Sequence, residues 1–221
     1  MKSTLVAILA TLVLMVGVAS AQSGAFAPYV QAGIGASSTF TGNSSVTAHN
    51  PNYTIGAGIE SSTKHLLLDV NANFNSQDYR TFGGLLAKNG NAYAVTAEAT
   101  GFVKISHLLL GGGTYYKNTV VGGDFRNLLP SSGQTFVPLV GGGFQFSRDR
   151  ITALYELPGR SATNQRTVDF HNEIFLTKSA HLRLTQDVSL NSSVAQITSN
   201  NLSLSQRISG GSAQAGLKLV F

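Results

Sequence analysis

Three titratable residues at alternate positions are the strongest candidates for chemistry in this sequence. Asp169, His171 and Glu173 are spaced by two, and residues at that spacing share one face of a β-strand. A carboxylate beside an imidazole can support acid–base catalysis. The same groups can instead form ion pairs with a nearby base, and Arg183 lies on the next alternating segment. The sequence favours this second, structural interpretation.

Other patterns that carry chemistry are missing. The chain has no cysteine, which excludes thiol catalysis and disulfides. Runs of glycine occur, but no lysine follows them in a phosphate-loop arrangement. We interpret them as a seam where a sheet bends, with Gly112 opposite Gly141 and Gly101 beside them. The sequence therefore predicts no cofactor, no metal and no nucleic-acid partner.

Alternation of apolar and polar residues dominates the chain and indicates β-strands. It predicts an all-β, up-and-down antiparallel barrel of ten strands. Eight strands is the alternative, because the pattern is weak near Leu157 and Phe170, and Asn172 falls on the apolar face. The predicted strands run over Pro28 to Ala36, Tyr53 to Glu60, Leu66 to Phe74, Tyr93 to Ala99, Leu108 to Tyr116, Phe136 to Phe146, Ile151 to Leu157, Val168 to Leu176, Leu182 to Leu190 and Ser209 to Phe221.

The last strand, Ser209 to Phe221, has one apolar face and ends on an aromatic residue. We interpret it as the closing strand of the barrel. In this last strand, and in the regular succession of strands along the chain, the protein resembles small bacterial outer-membrane β-barrels of the outer-membrane protein A and opacity types. The resemblance implies contact with outer-membrane lipids and recognition by the barrel assembly machinery. The residues that would carry this recognition are Ala215, Leu217, Leu219 and Phe221.

The first 21 residues have the parts of a secretory signal. Lys2 precedes an apolar segment, and small residues follow it. Cleavage is predicted between Ala21 and Gln22, with Ala19 as the second small residue of the site. The mature chain, 22–221, is predicted to be one domain that is exported through the periplasm to the outer membrane.

Charged residues sort onto the predicted inner face of the barrel. Seven acids and three bases face inward, and with His171 they form a predicted luminal charge network. Because acids outnumber bases, we expect some carboxylates, Asp169 and Glu173 first, to share protons or hold water. Loops or turns hold the remaining acids, Asp78, Asp124 and Asp149. The network is Glu60, Asp69, Glu98, Lys104, Glu156, Asp169, His171, Glu173, Arg183, Asp187 and Lys218.

Seven aromatic residues fall near one end of the predicted strands on the outer face. Such a ring is typical of the girdle that barrels place at the membrane interface. The predicted girdle is Tyr53, Phe74, Tyr93, Tyr116, Phe136, Tyr155 and Phe170.

Long and short connections alternate along the chain, as in outer-membrane barrels with long outer loops. Asn43, Lys88, Asp124 and Arg160 are therefore predicted outside the cell, and the periplasmic turns are predicted to contain Lys64, Arg148 and Lys178. The outer loops are predicted to be basic and to attract a surface polyanion. Their bases are Arg80, Lys88, Lys117, Arg126, Arg160, Arg166 and Arg207.

These features predict a non-enzymatic, monomeric outer-membrane barrel that presents its outer loops for a structural, adhesive or surface-interaction role. A narrow, poorly conducting pore is the alternative, and a lipid-modifying enzyme is the second. Outer-membrane lipid hydrolases resemble one another in a His-x-Ser element, and this chain lacks it, which weakens the enzyme hypothesis. The residues two positions after its five histidines are Pro51, Leu67, Leu109, Glu173 and Arg183.

Overall fold

The structure is a computed structural model that describes residues 26–41, 50–80, 89–121, 135–157, 166–199 and 202–221. Their fold is all-β. Within these ranges no helix is long and apolar enough to cross a membrane. The ten strands are β1 (Ala27–Thr41), β2 (Asn50–Ser62), β3 (Leu66–Arg80), β4 (Asn89–Ile105), β5 (Leu108–Val121), β6 (Thr135–Gln145), β7 (Asp149–Glu156), β8 (Arg166–Phe175), β9 (Leu182–Ser199) and β10 (Leu202–Val220).

The strands form one closed antiparallel barrel in which β10 pairs with β1. The ten-strand prediction is confirmed, and the eight-strand alternative is wrong because β7 and β8 each pair on both sides. Following the register once around the barrel leads from Ala27 back to Thr39 on the same strand, twelve residues further on. A stagger of this size tilts the strands by about 40° from the barrel axis.

One end of the barrel has short connections. Residues 63–65, 106–107, 146–148 and 176–181 join consecutive strands there. The longer connections at the other end lie mostly outside the described residues, and so do Asn43, Lys88, Asp124 and Arg160. The loop assignment of four bases was wrong, because they belong to strands: Arg80, Lys117, Arg166 and Arg207. Arg126, like residues 1–25 with the predicted cleavage site, lies outside the described residues.

The interior of the barrel contains an apolar cluster that the alternation did not predict. Its members come from β3 to β7 and are at most 8 % exposed. Tyr115 packs against them. The sequence signal was weak because segments such as Leu66–Leu68 and Leu108–Leu110 are apolar on both faces. The cluster is Leu67, Phe102, Leu109, Leu139 and Leu154.

The glycine runs lie where β4 to β7 approach closely, but their pairing differs by one residue from the prediction. Gly111, not Gly112, is opposite Gly141, whereas Gly112 faces Gly101 and Val140. A Cβ atom on Gly111 would lie 1.9 Å from the carbonyl oxygen of Gly101. No side chain fits at that distance, so this part of the wall requires glycine.

Candidate functional site

A cluster of buried charges crosses the barrel interior. Glu60 of β2 and Glu173 of β8 are 4 % and 1 % exposed. Three cations surround them: Arg150 of β7, Arg183 of β9 and Lys218 of β10, each at most 5 % exposed. Five strand pairs separate β2 from β7 in the closed ring. The cluster therefore connects opposite walls of the barrel.

Each glutamate of the cluster contacts all three cations. Arg183 donates to Glu60 at 2.6 and 2.8 Å and to Glu173 at 2.8 Å. Lys218 Nζ lies 2.9 Å from Glu173 Oε1 and 3.2 Å from Glu60 Oε2. Arg150 Nη2 donates to Glu60 Oε2 at 3.1 Å and also to Glu173. Such mutual pairing is what permits charges to be buried.

Two residues from neighbouring strands complete the cluster. Asp69 of β3 accepts from Lys218 at 3.3 Å, so three carboxylates face three cations. Tyr29 of β1 donates its hydroxyl to Asp69 at 2.7 Å. The Tyr29 ring also lies 3.7 Å below Lys218 Nζ, a favourable position for a cation over an aromatic face. The charge cluster therefore links seven of the ten strands.

Arg150 is the charged residue of the cluster that the sequence analysis missed, because it was assigned to a turn. The structure begins β7 at Asp149, and Arg150 then points inward like Thr152. Ile151 is exposed on the outer face, so extending the alternation back by one residue could have predicted that Arg150 faces inward. With Arg150 in place, Glu173 has three cationic partners, and the expectation that it shares a proton for want of bases was wrong.

His171 joins the edge of the cluster. Its Nε2 lies 3.2 Å from Glu173 Oε1, and its Nδ1 contacts Asp187. Both ring nitrogens of His171 are thus engaged by carboxyl groups. A ring bonded on both sides has no free nitrogen with which to accept a proton from a nucleophile.

Three other predicted network residues have further neighbours in the barrel. Lys104 donates to Ser62 Oγ at 2.6 Å. Glu156 accepts a hydrogen bond from Tyr115. Glu98 is near His171, Asp69, Asp169 and Asp187. Within the described ranges no group of three His, Cys, Asp or Glu residues is arranged to hold a metal ion.

Amide side chains cover the adjoining inner wall of β1 to β3. Asn71 donates to Asp69 at 3.1 Å, and Asn73 donates to Asn71 at 2.8 Å. Gln31 of β1 then donates to Asn73 at 2.7 Å. This chain of bonds extends the polar filling from the charge cluster along β3. Asn75 continues it by accepting from Thr54.

The predicted closing strand and girdle lie on the outer face where their side chains are described. Leu217, Leu219 and Phe221 are 52 %, 42 % and 62 % exposed, and Ala215 is also exposed. The buried Lys218 lies between the two leucines. Recognition of this strand by assembly machinery stays a prediction.

Of the predicted girdle, Tyr53 and Phe170 are 49 % and 42 % exposed, and Tyr116 and Tyr155 are partly exposed. Phe74 and Tyr93 stack at 5.9 Å between ring centroids. Phe136 is opposite Tyr116 in the register. A second aromatic group, which the sequence analysis missed, lies at the end with short connections: Phe26, Phe144, Phe146 and Phe221.

Comparison with known proteins found similarity only in structure. No family model and no curated protein matches the sequence. Neisserial surface protein A is similar at a TM-score of 0.41 and 17 % identity, over 88 % of this chain and 97 % of that protein.

Two further solved structures are similar to this chain. The outer membrane protease OmpT from Escherichia coli has a TM-score of 0.44 and 11 % identity, over 88 % and 97 % of the two chains. An outer membrane channel from Pseudomonas putida F1 has a TM-score of 0.44 and 7 % identity, over 89 % and 96 %. These similarities concern the fold alone, which in this chain is a closed antiparallel barrel of ten strands.

Proposed function

We propose that this chain is a closed, non-enzymatic barrel of the bacterial outer membrane that anchors outward-facing segments at the cell surface. The observation that carries the proposal is the charge cluster, which joins β2 to β7 across the interior. Buried side chains that bond opposite walls of a barrel to each other narrow any path for solutes at that level.

The distribution of side chains supports a membrane environment. Large apolar residues face outward around the barrel, among them Ile55, Val70 and Val103, which are 64 %, 48 % and 52 % exposed. The charged side chains of the cluster, by contrast, are buried inside the barrel. A charge on the lipid face near the bilayer midplane would cost about 2–4 kcal/mol for Lys or Arg. This inverted arrangement suits a lipid solvent and not water.

The apolar cluster supports closure on the other side of the interior. Leu109 and Phe102 are 1 % and 4 % exposed, and they fill the region beside the glycine-rich wall. The interior is thus occupied by charge pairs towards β8 to β10 and by packed apolar side chains towards β4 to β6. Side chains alone can fill the interior of an eight-stranded barrel. A barrel of ten strands is only modestly wider.

Conductance tests closure directly. We expect the wild-type protein in a planar bilayer to show little or rare current near neutral pH. Arg150→Ala should increase the current, because it removes the contact from β7 to both glutamates. Lys64→Ala, in a short turn, is the matched control and should leave the current unchanged. Stable, frequent openings of the wild type would support the pore alternative instead.

The orientation of the barrel can be tested on intact cells. We expect a peptide tag inserted at Lys88 to be stained by an external antibody, because the sequence predicts this residue in an outer loop. A tag at Lys64, in the turn between β2 and β3, should be stained only after the outer membrane is permeabilised. The reverse labelling would contradict the orientation.

Catalysis by the Asp169, His171 and Glu173 set is the less supported alternative. Glu173 is engaged by three cations, and His171 has a carboxylate at each nitrogen. Neither group is available to activate a nucleophile. Two members of this trio are therefore engaged in ion pairs, which makes the lipid-modifying hypothesis the less supported one.

A further inference from the structure

The short turns at one end of the barrel carry positive charge that no acid of the same turns balances. They contain the exposed bases Lys64, Arg148 and Lys178 and neither Asp nor Glu. Of the residues that flank these turns, Asp149 alone is an acid, so three bases stand against one acid. The turns are residues 63–65, 106–107, 146–148 and 176–181. We call Lys64, Arg148 and Lys178 the basic ring.

Each base of the basic ring lies two residues beyond an exposed apolar side chain. The pairs are Leu66 with Lys64, Phe146 with Arg148 and Leu176 with Lys178, and the apolar members are 38 %, 46 % and 52 % exposed. Phe144, which is 50 % exposed, stacks on Phe146 with 6.4 Å between ring centroids. The rim of the barrel at this end therefore has an apolar layer on the outer face and a charged layer beyond it.

The distance between these two layers matches the profile of a bilayer. The hydrocarbon core is about 30 Å thick and the whole bilayer about 40–45 Å, so the headgroup layer on each side is about 5–8 Å deep. Two residues span at most about 7 Å. When the apolar layer lies at the hydrocarbon boundary, the bases therefore lie among the lipid headgroups. Because the turns are short, the bases cannot move far from this level.

We propose that the basic ring binds the phosphate groups of anionic phospholipids in the leaflet at the end with short turns. Ammonium and guanidinium groups donate charge-assisted hydrogen bonds to phosphate oxygens. A zwitterionic headgroup is a weaker partner, because it brings its own cation to the phosphate. Each Lys or Arg near an anionic leaflet strengthens the attraction about fivefold. This inference rests on the proposed membrane location and adds a lipid preference to it.

Co-purification of lipids tests the preference. The full chain is inserted into vesicles of equal parts phosphatidylcholine and phosphatidylglycerol with the same acyl chains, then extracted in a mild detergent and purified. Mass spectrometry measures the ratio of the two lipids that remain bound. We expect phosphatidylglycerol to be enriched at least fivefold over the vesicle ratio. The enrichment should fall several-fold in about 0.5 M NaCl, because salt screens exposed charges.

Two triple variants test whether the charge of the basic ring causes the enrichment. Changing Lys64, Arg148 and Lys178 together to Gln should return the bound lipids to the vesicle ratio. The matched control, Lys64→Arg with Arg148→Lys and Lys178→Arg, keeps every charge and should retain the enrichment. An unselective wild type, or equal enrichment in the glutamine variant, would overturn the proposal. So would enrichment that salt leaves unchanged, a result that needs only the wild-type protein.

Insertion is measured separately, from the difference in electrophoretic mobility between heated and unheated protein in vesicles of phosphatidylcholine alone. The basic ring has no anionic lipid to select there, so the wild type and both triple variants should insert equally. Failure of the wild type to insert would count against the membrane location itself. Insertion of the wild type without lipid selection in the mixed vesicles would overturn the lipid preference alone.

Discussion

Glu173→Ala is expected to destabilise the barrel by about 3–5 kcal/mol, because it leaves buried cations without a partner. Glu173 is 1 % exposed and contacts Arg150, Arg183 and Lys218. After its removal, only Glu60 and Asp69 remain to neutralise these three cations. Urea unfolding in lipid vesicles, followed by circular dichroism because the chain has no tryptophan, measures the change.

The matched control for this variant is Asp187→Asn. Its side chain is 45 % exposed and contacts His171, so the expected loss is below about 1 kcal/mol. A double variant sharpens the test. Adding Lys218→Met to Glu173→Ala removes one charge of each sign and should recover part of the stability. Equal losses for Glu173→Ala and Asp187→Asn would show that the charge cluster does not stabilise the fold.

Gly111→Ala is expected to prevent closure of the barrel or to destabilise it by at least about 2 kcal/mol. The added Cβ would lie 1.9 Å from the carbonyl oxygen of Gly101. That oxygen belongs to the backbone of the paired strand, so β4 and β5 would have to separate. The folded fraction is measured from the difference in electrophoretic mobility between heated and unheated protein.

Gly211→Ala provides the same chemical change at a less crowded position. The nearest atoms to its Cβ would be Leu190 Cδ2 and Ser189 O, both at 3.3 Å. Leu190 is exposed on the outer face and can move slightly. We therefore expect nearly normal folding of this variant. If both alanine variants fold equally well, the close approach of β4 and β5 is not the reason for glycine at Gly111.

The fold could be predicted from the sequence because a one-sided strand has a period of two, and that period recurs along most of the chain. Interruptions of the pattern were harder to interpret. The polar Asn172 interrupts the pattern of β8, although the register places it opposite the equally polar Gln186. A pairing register depends on how two strands align in space, and single-strand periodicity does not contain that information.

The acidic residues of the charge cluster could be predicted from the sequence, but only some of its basic residues could. Glu60 and Glu173 follow from alternation, whereas Arg150 was hidden by its position next to a turn. The contact of Glu60 with Arg150 joins residues 90 positions apart. Which inward charges meet is determined by the curvature and stagger of the closed barrel, which become known only when all strands are placed.

The burial of Lys218 in the last strand has a consequence for the order of folding. Lys218 and Glu60 are 158 positions apart, so their contact is among the least local in the chain and its loop is among the slowest to close. Until β10 docks on β1, the carboxylates of β2 and β8 lack this cation and favour hydration. Docking of the last strand and expulsion of water from the interior are therefore coupled. An incompletely assembled barrel stays wet and open, and completion of the ring makes it dry and cooperative.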